Sequence, residues 1–110
     1  MTRPVRLGPD AAAELADAAR WYEDMRPGLG AMFLDAVDVT VESIAHWPGA
    51  GTSVEGLAKG LDVRRAPVGR FPYHVAFLVR DEAIYVLAVA HDRRRPAYWS
   101  GRTSPPAIDG

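Results

Sequence analysis

Hydrophobic residues change their spacing partway along the chain, and this change constrains the fold more than any other feature. In the first part they recur at helical spacing, which predicts amphipathic helices over about residues 10–25 and 29–46. Only Arg26-Pro27-Gly28 separates these segments, and so short a break predicts an antiparallel helical hairpin. In the second part they form short runs over 63–68, 72–80 and 83–91, which predict three β-strands.

The order of these elements predicts an α+β fold. A short edge strand over about residues 3–7 precedes the helical hairpin, and a three-stranded antiparallel meander follows it, in the order β-α-α-β-β-β. Helices on one side only would leave the other face of the sheet uncovered, and we expect a binding surface there. We assign residues 1–100 to a single domain and expect residues 101–110 to form a disordered tail.

Composition excludes several classes of protein. The 110 residues include no cysteine, which rules out zinc ribbons, iron–sulfur proteins and disulfide scaffolds. His46, His74 and His91 fall on separate elements, so we expect no metal site and no cofactor. Because no apolar run approaches the roughly 20 residues of a membrane span, and acidic residues interrupt the first 25 positions, we expect a cytoplasmic protein without a membrane partner.

The formal net charge of −1 conceals an uneven distribution. Residues 1–60 carry five basic and nine acidic side chains, a net −4, whereas residues 61–110 carry eight basic and five acidic ones, a net +3. Twelve of the 13 basic residues are arginine, whose planar fork suits bidentate binding of phosphate or carboxylate groups. A codon bias toward arginine explains the excess over lysine equally well. The positive charge is in either case concentrated in the C-terminal half.

Three segments, in their order along the chain, carry a resemblance to a known family. They are Ala19-Arg20-Trp21-Tyr22-Glu23 in the first helix, the run VRRAPVGRFPYHVAF over 63–77, and the run IYVLAVAHDRRRPAYW over 84–99. The set resembles the RelE/ParE superfamily of toxins from bacterial type II toxin–antitoxin systems, and it is most similar to the ParE-like branch. The likeness extends over about residues 5–99.

The resemblance implies a small toxin that a cognate antitoxin neutralises in a hetero-oligomeric complex, with roles in plasmid stabilization and growth inhibition. ParE-like members of the superfamily inhibit DNA gyrase, whereas RelE-like members cleave messenger RNA in the ribosome. A third alternative is an inactive member that retains only antitoxin binding. The fold is shared by all three, so the choice between them rests on the site residues.

The endoribonuclease alternative requires a general acid, a general base and cations near the phosphate, without a metal. His91, at the end of the last strand, is the candidate acid, and Arg70 is a candidate cation. A base is harder to identify, because the chain has one lysine, Lys59, and no carboxylate lies between Val63 and Arg80, which leaves the loop residue Glu55 as the candidate. This incomplete set favours the ParE-like alternative, although whether the chain is an enzyme stays open.

Under the ParE-like alternative, the expected target-binding residues lie on the three strands and directly after them. They are Arg64, Arg65, Arg70, Tyr73, Arg93, Arg94 and Arg95. Neighbouring side chains on a strand point to opposite faces, so Arg64 and Arg65 are not expected to act together. A solvated basic tail is the alternative for residues 93–95. Trp99 either adds aromatic surface to this patch or, as we favour, anchors the C-terminal segment against the helices.

Overall fold

The computed structural model describes residues 2–55, 57 and 60–103, and its elements follow the predicted order. Lys59 and residues 104–110 of the predicted tail lie outside the described residues. The elements are β1 (Val5–Leu7), α1 (Pro9–Met25), α2 (Leu29–His46), β2 (Thr52–Ser53), β3 (Val63–Pro67), β4 (Tyr73–Val79) and β5 (Ile84–His91), with short 3₁₀ turns at Pro48–Ala50 and Ser100–Thr103. None of the helices in these ranges is long and apolar enough to cross a bilayer.

The two helices form the expected hairpin, and one carboxylate fastens its turn. Glu23, near the end of α1, accepts hydrogen bonds of 3.0–3.1 Å from the backbone N–H groups of Gly28 and Gly30. The N-cap residue of α2 is Gly28, which has no side chain to accept these hydrogen bonds. Glu23 therefore satisfies backbone N–H donors that the start of α2 would otherwise leave free. A Cβ at Gly30 would lie 2.6 Å from the carbonyl oxygen of Ala19, which shows how closely the helices approach there.

The strands form one mixed sheet in the order β1-β5-β4-β3-β2. The meander β3-β4-β5 is antiparallel, as predicted, and β1 pairs in parallel with β5 over Ile84–Val86 only. The register between β4 and β5 shifts after Ala76, where Ala88 and Val86 pair with consecutive β4 residues and Leu87 is the extra residue of a bulge. Because β1 is short, the outer backbone edge of β5 beyond Val86 is left to be covered by other groups.

Apolar side chains cover both faces of the sheet. The larger cluster lies between the sheet and the helices, where Phe33, fully buried, meets Tyr22, Phe71 and Tyr73 with ring centroids 5.0–5.2 Å from its own. The smaller cluster lies on the opposite face and is built by buried side chains, namely Val63, Ala76, Leu78, Leu87, Ala88, Ala90 and Trp99. The last strand is therefore apolar on both faces, as its sequence predicts.

The expectation of an uncovered second face is wrong for the half of the sheet nearest the C-terminal segment. Trp99, 2% exposed, packs there onto the sheet, so it anchors the C-terminal segment against the strands and not against the helices as we expected. A sheet face rich in small residues such as Ala76, Ala88 and Ala90 leaves room for an indole ring. Packing the ring there removes apolar surface of both the ring and the sheet from water, which is favourable.

The other half of this face remains an open groove of about 590 Å³ near β1, with Leu78, Tyr85 and Leu87 among its lining residues and Arg6 and Arg80 at its rim. None of the expected target-binding residues lines this groove. The described chain also continues through the turn Ser100–Thr103, so the first three residues of the segment expected to be a disordered tail are part of the folded structure.

Candidate functional site

A cleft that we call the His91 cleft lies between α1 and the C-terminal end of β5. Its volume is about 400 Å³, and it is lined by Glu14, Asp17, Ala18, Trp21, Tyr73, Val89, His91, Arg94 and Tyr98. It brings together three of the residues expected from the sequence, His91, Tyr73 and Arg94. It also contains two carboxylates that the sequence did not connect with His91, because both come from α1, more than 70 positions earlier.

His91 is held by its own backbone turn. Its Nδ1 accepts a hydrogen bond of 3.0 Å from the backbone N–H of Arg93, so the neutral ring carries its proton on Nε2. The ring centroid lies 5.1 Å from that of Tyr73, its cross-strand partner, in an edge-to-face arrangement. His91 therefore presents an N–H donor, and Tyr73 is half-buried in the aromatic cluster that supports it. Within the described ranges no three His, Asp or Glu side chains are grouped as metal ligands would be.

Glu14 connects α1 to β5 and to the C-terminal segment, and sequence reasoning missed it. Its Oε1 accepts hydrogen bonds from the backbone N–H of Val89 and from Arg102, both at 3.1 Å. Its Oε2 accepts from the hydroxyl of Tyr98 at 2.6 Å and from Arg102 at 3.2 Å. The N–H of Val89 is one of the groups on the uncovered edge of β5, so Glu14 closes the sheet edge and fastens the C-terminal segment at once.

A signal for Glu14 existed in the sequence. Ala11, Ala18 and Tyr22 are buried on one stripe of α1, and Glu14 occupies a position of that stripe three residues after the first and four before the second. A carboxylate on a buried stripe requires donors, because burying it without partners is costly. The sequence could not show which donors these are, since Tyr98 and Arg102 are separated from it by 84 and 88 positions.

Tyr98 carries the clearest change in acid–base behaviour. Burial raises the pKa of its hydroxyl to about 12 from the usual 10.0, and the hydrogen bond to Glu14 and the charge of Glu14 act in the same direction. The ring also supports Arg94, whose guanidinium carbon lies 4.0 Å from its centroid. Tyr98 therefore links the carboxylate on α1 to an arginine at the cleft.

Substitution Tyr98→Phe tests this hydroxyl. The folded chain holds the phenol proton more tightly than the unfolded chain, so the contribution of Tyr98 is fully present below about pH 10 and is lost as the pH rises from about 10 to about 12. We expect the variant to be about 1 kcal/mol less stable at neutral pH, with the difference shrinking over that alkaline range. Urea denaturation at neutral and alkaline pH measures it. Tyr85→Phe, whose hydroxyl has only a 3.4 Å contact with Glu82, is the control. An unchanged difference at high pH contradicts the assignment.

A second cleft, which we call the arginine cleft, opens on the non-helical face beside β2. Its volume is about 240 Å³, and it is lined by Thr52, Ser53, Val54, Glu55, Arg65, His74, Asp92, Arg94, Arg95, Pro96, Ala97, Tyr98 and Trp99. Three of the expected target-binding residues meet here, Arg65, Arg94 and Arg95. Arg94 lines both clefts, so the two are adjacent.

The remaining expected residues have different surroundings. Arg64 points to the other face of β3 and is used internally, because its guanidinium donates to Asp62 at 2.9 Å and to the carbonyl oxygens of Gly49 and Gly51 at 3.1 and 3.0 Å. Arg70 is exposed on the turn between β3 and β4 and lines neither cleft. Arg93 is exposed next to His91, and Glu55, the candidate base, lies in the arginine cleft and not among the residues lining the His91 cleft.

Comparison with known proteins shows similarity at the level of the family model and of solved structures. The family model of the ParE toxin of the type II toxin–antitoxin system parDE matches residues 5–96. Among solved structures, the chromosomal ParDE TA system from P. aeruginosa is similar, with a TM-score of 0.68, 19% sequence identity, and coverage of 82% of this chain and 96% of that chain. At this identity the likeness concerns the fold. No curated protein matches the sequence.

Proposed function

The chain belongs to the ParE toxin family of type II toxin–antitoxin systems, and from that premise we propose that it acts in the cytoplasm by binding DNA gyrase and that a cognate antitoxin neutralises it. The contact surface that we propose is the end of the sheet where the β3–β4 turn and the C-terminal end of β5 meet. Tyr73 and His91 pair at this end, which brings the loop carrying Arg70 near the segment 93–95.

One observation supports binding over RNA cleavage. Of the two carboxylates that line the cleft with His91, only the less exposed one, Glu14, has its acceptor capacity fully used, whereas Asp17 makes a single surface ion pair. Glu14 accepts four hydrogen bonds, and Asp17 is exposed and paired with Arg20 at 3.1 Å. A carboxylate whose lone pairs are all occupied is a poor acceptor for a substrate proton. The cations needed for binding are available, because Arg65, Arg93 and Arg95 have no carboxylate partner among the described side chains.

The test is inhibition of gyrase. We expect expression of the chain alone to stop growth, co-expression of the cognate antitoxin to restore it, and the purified chain to inhibit supercoiling by gyrase. The double variant Arg94→Glu/Arg95→Glu should need at least about a tenfold higher concentration for the same inhibition, since two charge contacts become repulsive.

The double variant Arg6→Glu/Arg80→Glu is the matched control, because both arginines are exposed beside the groove near β1, and Arg80 lies directly after β4, about 20 Å along the strand from Tyr73. Supercoiling that is unaffected by the wild-type chain contradicts the proposal. Cuts in translated messenger RNA that disappear in His91→Ala or Arg70→Ala would instead establish the endoribonuclease alternative. A chain that binds its antitoxin but leaves growth unchanged would be an inactive member.

A further inference from the structure

The arginine cleft is lined by three arginines and two carboxylates, so its formal charge is slightly positive. Arg65 enters it from β3, and Arg94 and Arg95 enter it from the segment after β5. None of the three has a carboxylate partner among the described residues, whereas Arg20, Arg64 and Arg102 each have one. Unpaired arginines that converge on a concave surface raise the local concentration of anions.

The acidic groups of the cleft only partly offset this charge. Asp92 is engaged by His74, whose Nδ1 donates to Oδ1 of Asp92 at 2.9 Å, and the His74 side chain is only 15% exposed. Glu55 is the other carboxylate that lines the cleft, and it is exposed. The three arginines therefore outnumber the acidic residues, and one of the two carboxylates is already hydrogen-bonded to a neighbour.

Hydrogen-bond donors in the cleft suit an oxyanion. The guanidinium of Arg94 lies over the Tyr98 ring, so the ring occupies one face of its plane and the N–H groups at its edge remain free to donate. Thr52 and Ser53, both exposed on β2, add hydroxyl donors. The volume of about 240 Å³ is below the roughly 300–1,000 Å³ of sites that enclose whole small-molecule ligands, but it accommodates a tetrahedral anion.

We propose that the arginine cleft binds a backbone phosphate of a nucleic acid. Further exposed arginines, Arg93 and Arg70, extend the positive surface beyond the cleft at the same end of the sheet. A polyanion with a phosphate at every nucleotide uses such an extended surface, whereas a single carboxylate of a protein partner uses only the cleft. The inference rests on the proposed function for the source of the nucleic acid, which would be the DNA that gyrase holds within reach of the toxin.

The experiment measures direct binding of labelled oligonucleotides to the isolated full chain by fluorescence anisotropy, without gyrase. Single-stranded DNA, duplex DNA and single-stranded RNA of one sequence are the three arms that distinguish the source of the phosphate, and an oligoglutamate peptide is the carboxylate arm. We expect saturable oligonucleotide binding that weakens from about 50 to about 200 mM salt. Each of Arg65→Ala and Arg95→Ala should raise the dissociation constant about three- to tenfold and reduce the salt dependence by about one unit of slope.

Arg80→Ala is the matched control, since it removes the same charge at the far end of the sheet and should change binding less than about twofold. The proposal is overturned if no saturable oligonucleotide binding occurs at low salt, if Arg80→Ala weakens binding as much as Arg65→Ala, or if oligoglutamate binds as tightly with the same arginine dependence. Gyrase is absent from the anisotropy measurement, so the two assays are independent. Absent oligonucleotide binding would not change the supercoiling result, and absent inhibition of supercoiling would not change the measured oligonucleotide affinity.

Discussion

Trp99→Ala is expected to destabilise the chain by about 4 kcal/mol, close to the upper range for truncating a buried aromatic side chain. The indole is 2% exposed and lies against the non-helical face of the sheet with Leu78, Leu87 and the small residues of β4 and β5. The alanines among those neighbours are fixed on paired strands and have no side-chain atoms that could move to fill the space that the indole leaves. The loss should therefore include most of the cavity cost as well as the lost burial. Urea denaturation of the two proteins measures the difference.

Trp47→Ala provides the matched control, because Trp47 is 66% exposed and lies after α2. We expect its loss to cost less than about 1 kcal/mol, as is usual for surface substitutions. A Trp99→Ala variant as stable as the Trp47→Ala variant would show that the C-terminal segment is not part of the folded core. In that case residues 93–95 would be the solvated basic tail that the charge run alone suggests.

The helices and the three meander strands were predictable because their signals are local. Helical spacing in residues 10–46, the break at Arg26-Pro27-Gly28 and the polar turn at Asp81-Glu82 each act over a few positions. The parallel pairing of β1 with β5 and the bulge at Leu87 were not predicted. The first joins segments about 80 positions apart, and the second depends on which residues of two strands face each other, so neither leaves a local pattern in the sequence.

The sequence identified several residues of the candidate site but not which of them lie together. The sequence placed Arg64 and Arg65 on opposite faces of one strand, and the structure shows the consequence, with Arg64 bonded to Asp62 and Arg65 in the arginine cleft. That Arg65 would meet Arg94 and Arg95 depends on how the segment after β5 turns back over the sheet. Trp99 and Glu14 fix that turn through contacts distant in sequence, which is why the arginine cleft and the role of Glu14 emerge only from the fold.

Glu14→Ala is the second substitution with a large expected effect, about 3 kcal/mol of destabilisation. It leaves the backbone N–H of Val89, the hydroxyl of Tyr98 and the guanidinium of Arg102 without their acceptor, and unpaired polar groups in partly buried positions are costly. Asp17→Ala on the same helix is the control, because the Asp17–Arg20 pair is 76% and 69% exposed and should contribute less than about 1 kcal/mol. A double-mutant cycle with Arg102→Ala should give a coupling of about 1–3 kcal/mol. A coupling near zero would mean that Arg102 is held by its other partners, the carbonyl oxygen of Leu87 and the carboxylate of Asp10.

The same variant separates a positioning role of Glu14 from a purely electrostatic one. Removing a carboxylate near a basic surface should strengthen the binding of a nucleic acid if charge alone matters. Glu14 instead holds Tyr98, and Tyr98 supports Arg94 at 4.0 Å, so loss of this carboxylate should loosen an arginine of the proposed phosphate site. We therefore expect Glu14→Ala to weaken oligonucleotide binding at a temperature where the variant is still folded, and Asp17→Ala to leave it unchanged or slightly stronger. The positioning role and the electrostatic role thus predict opposite changes in the same measured affinity. Tighter binding by Glu14→Ala would show that Arg94 does not need the support of Glu14 through Tyr98.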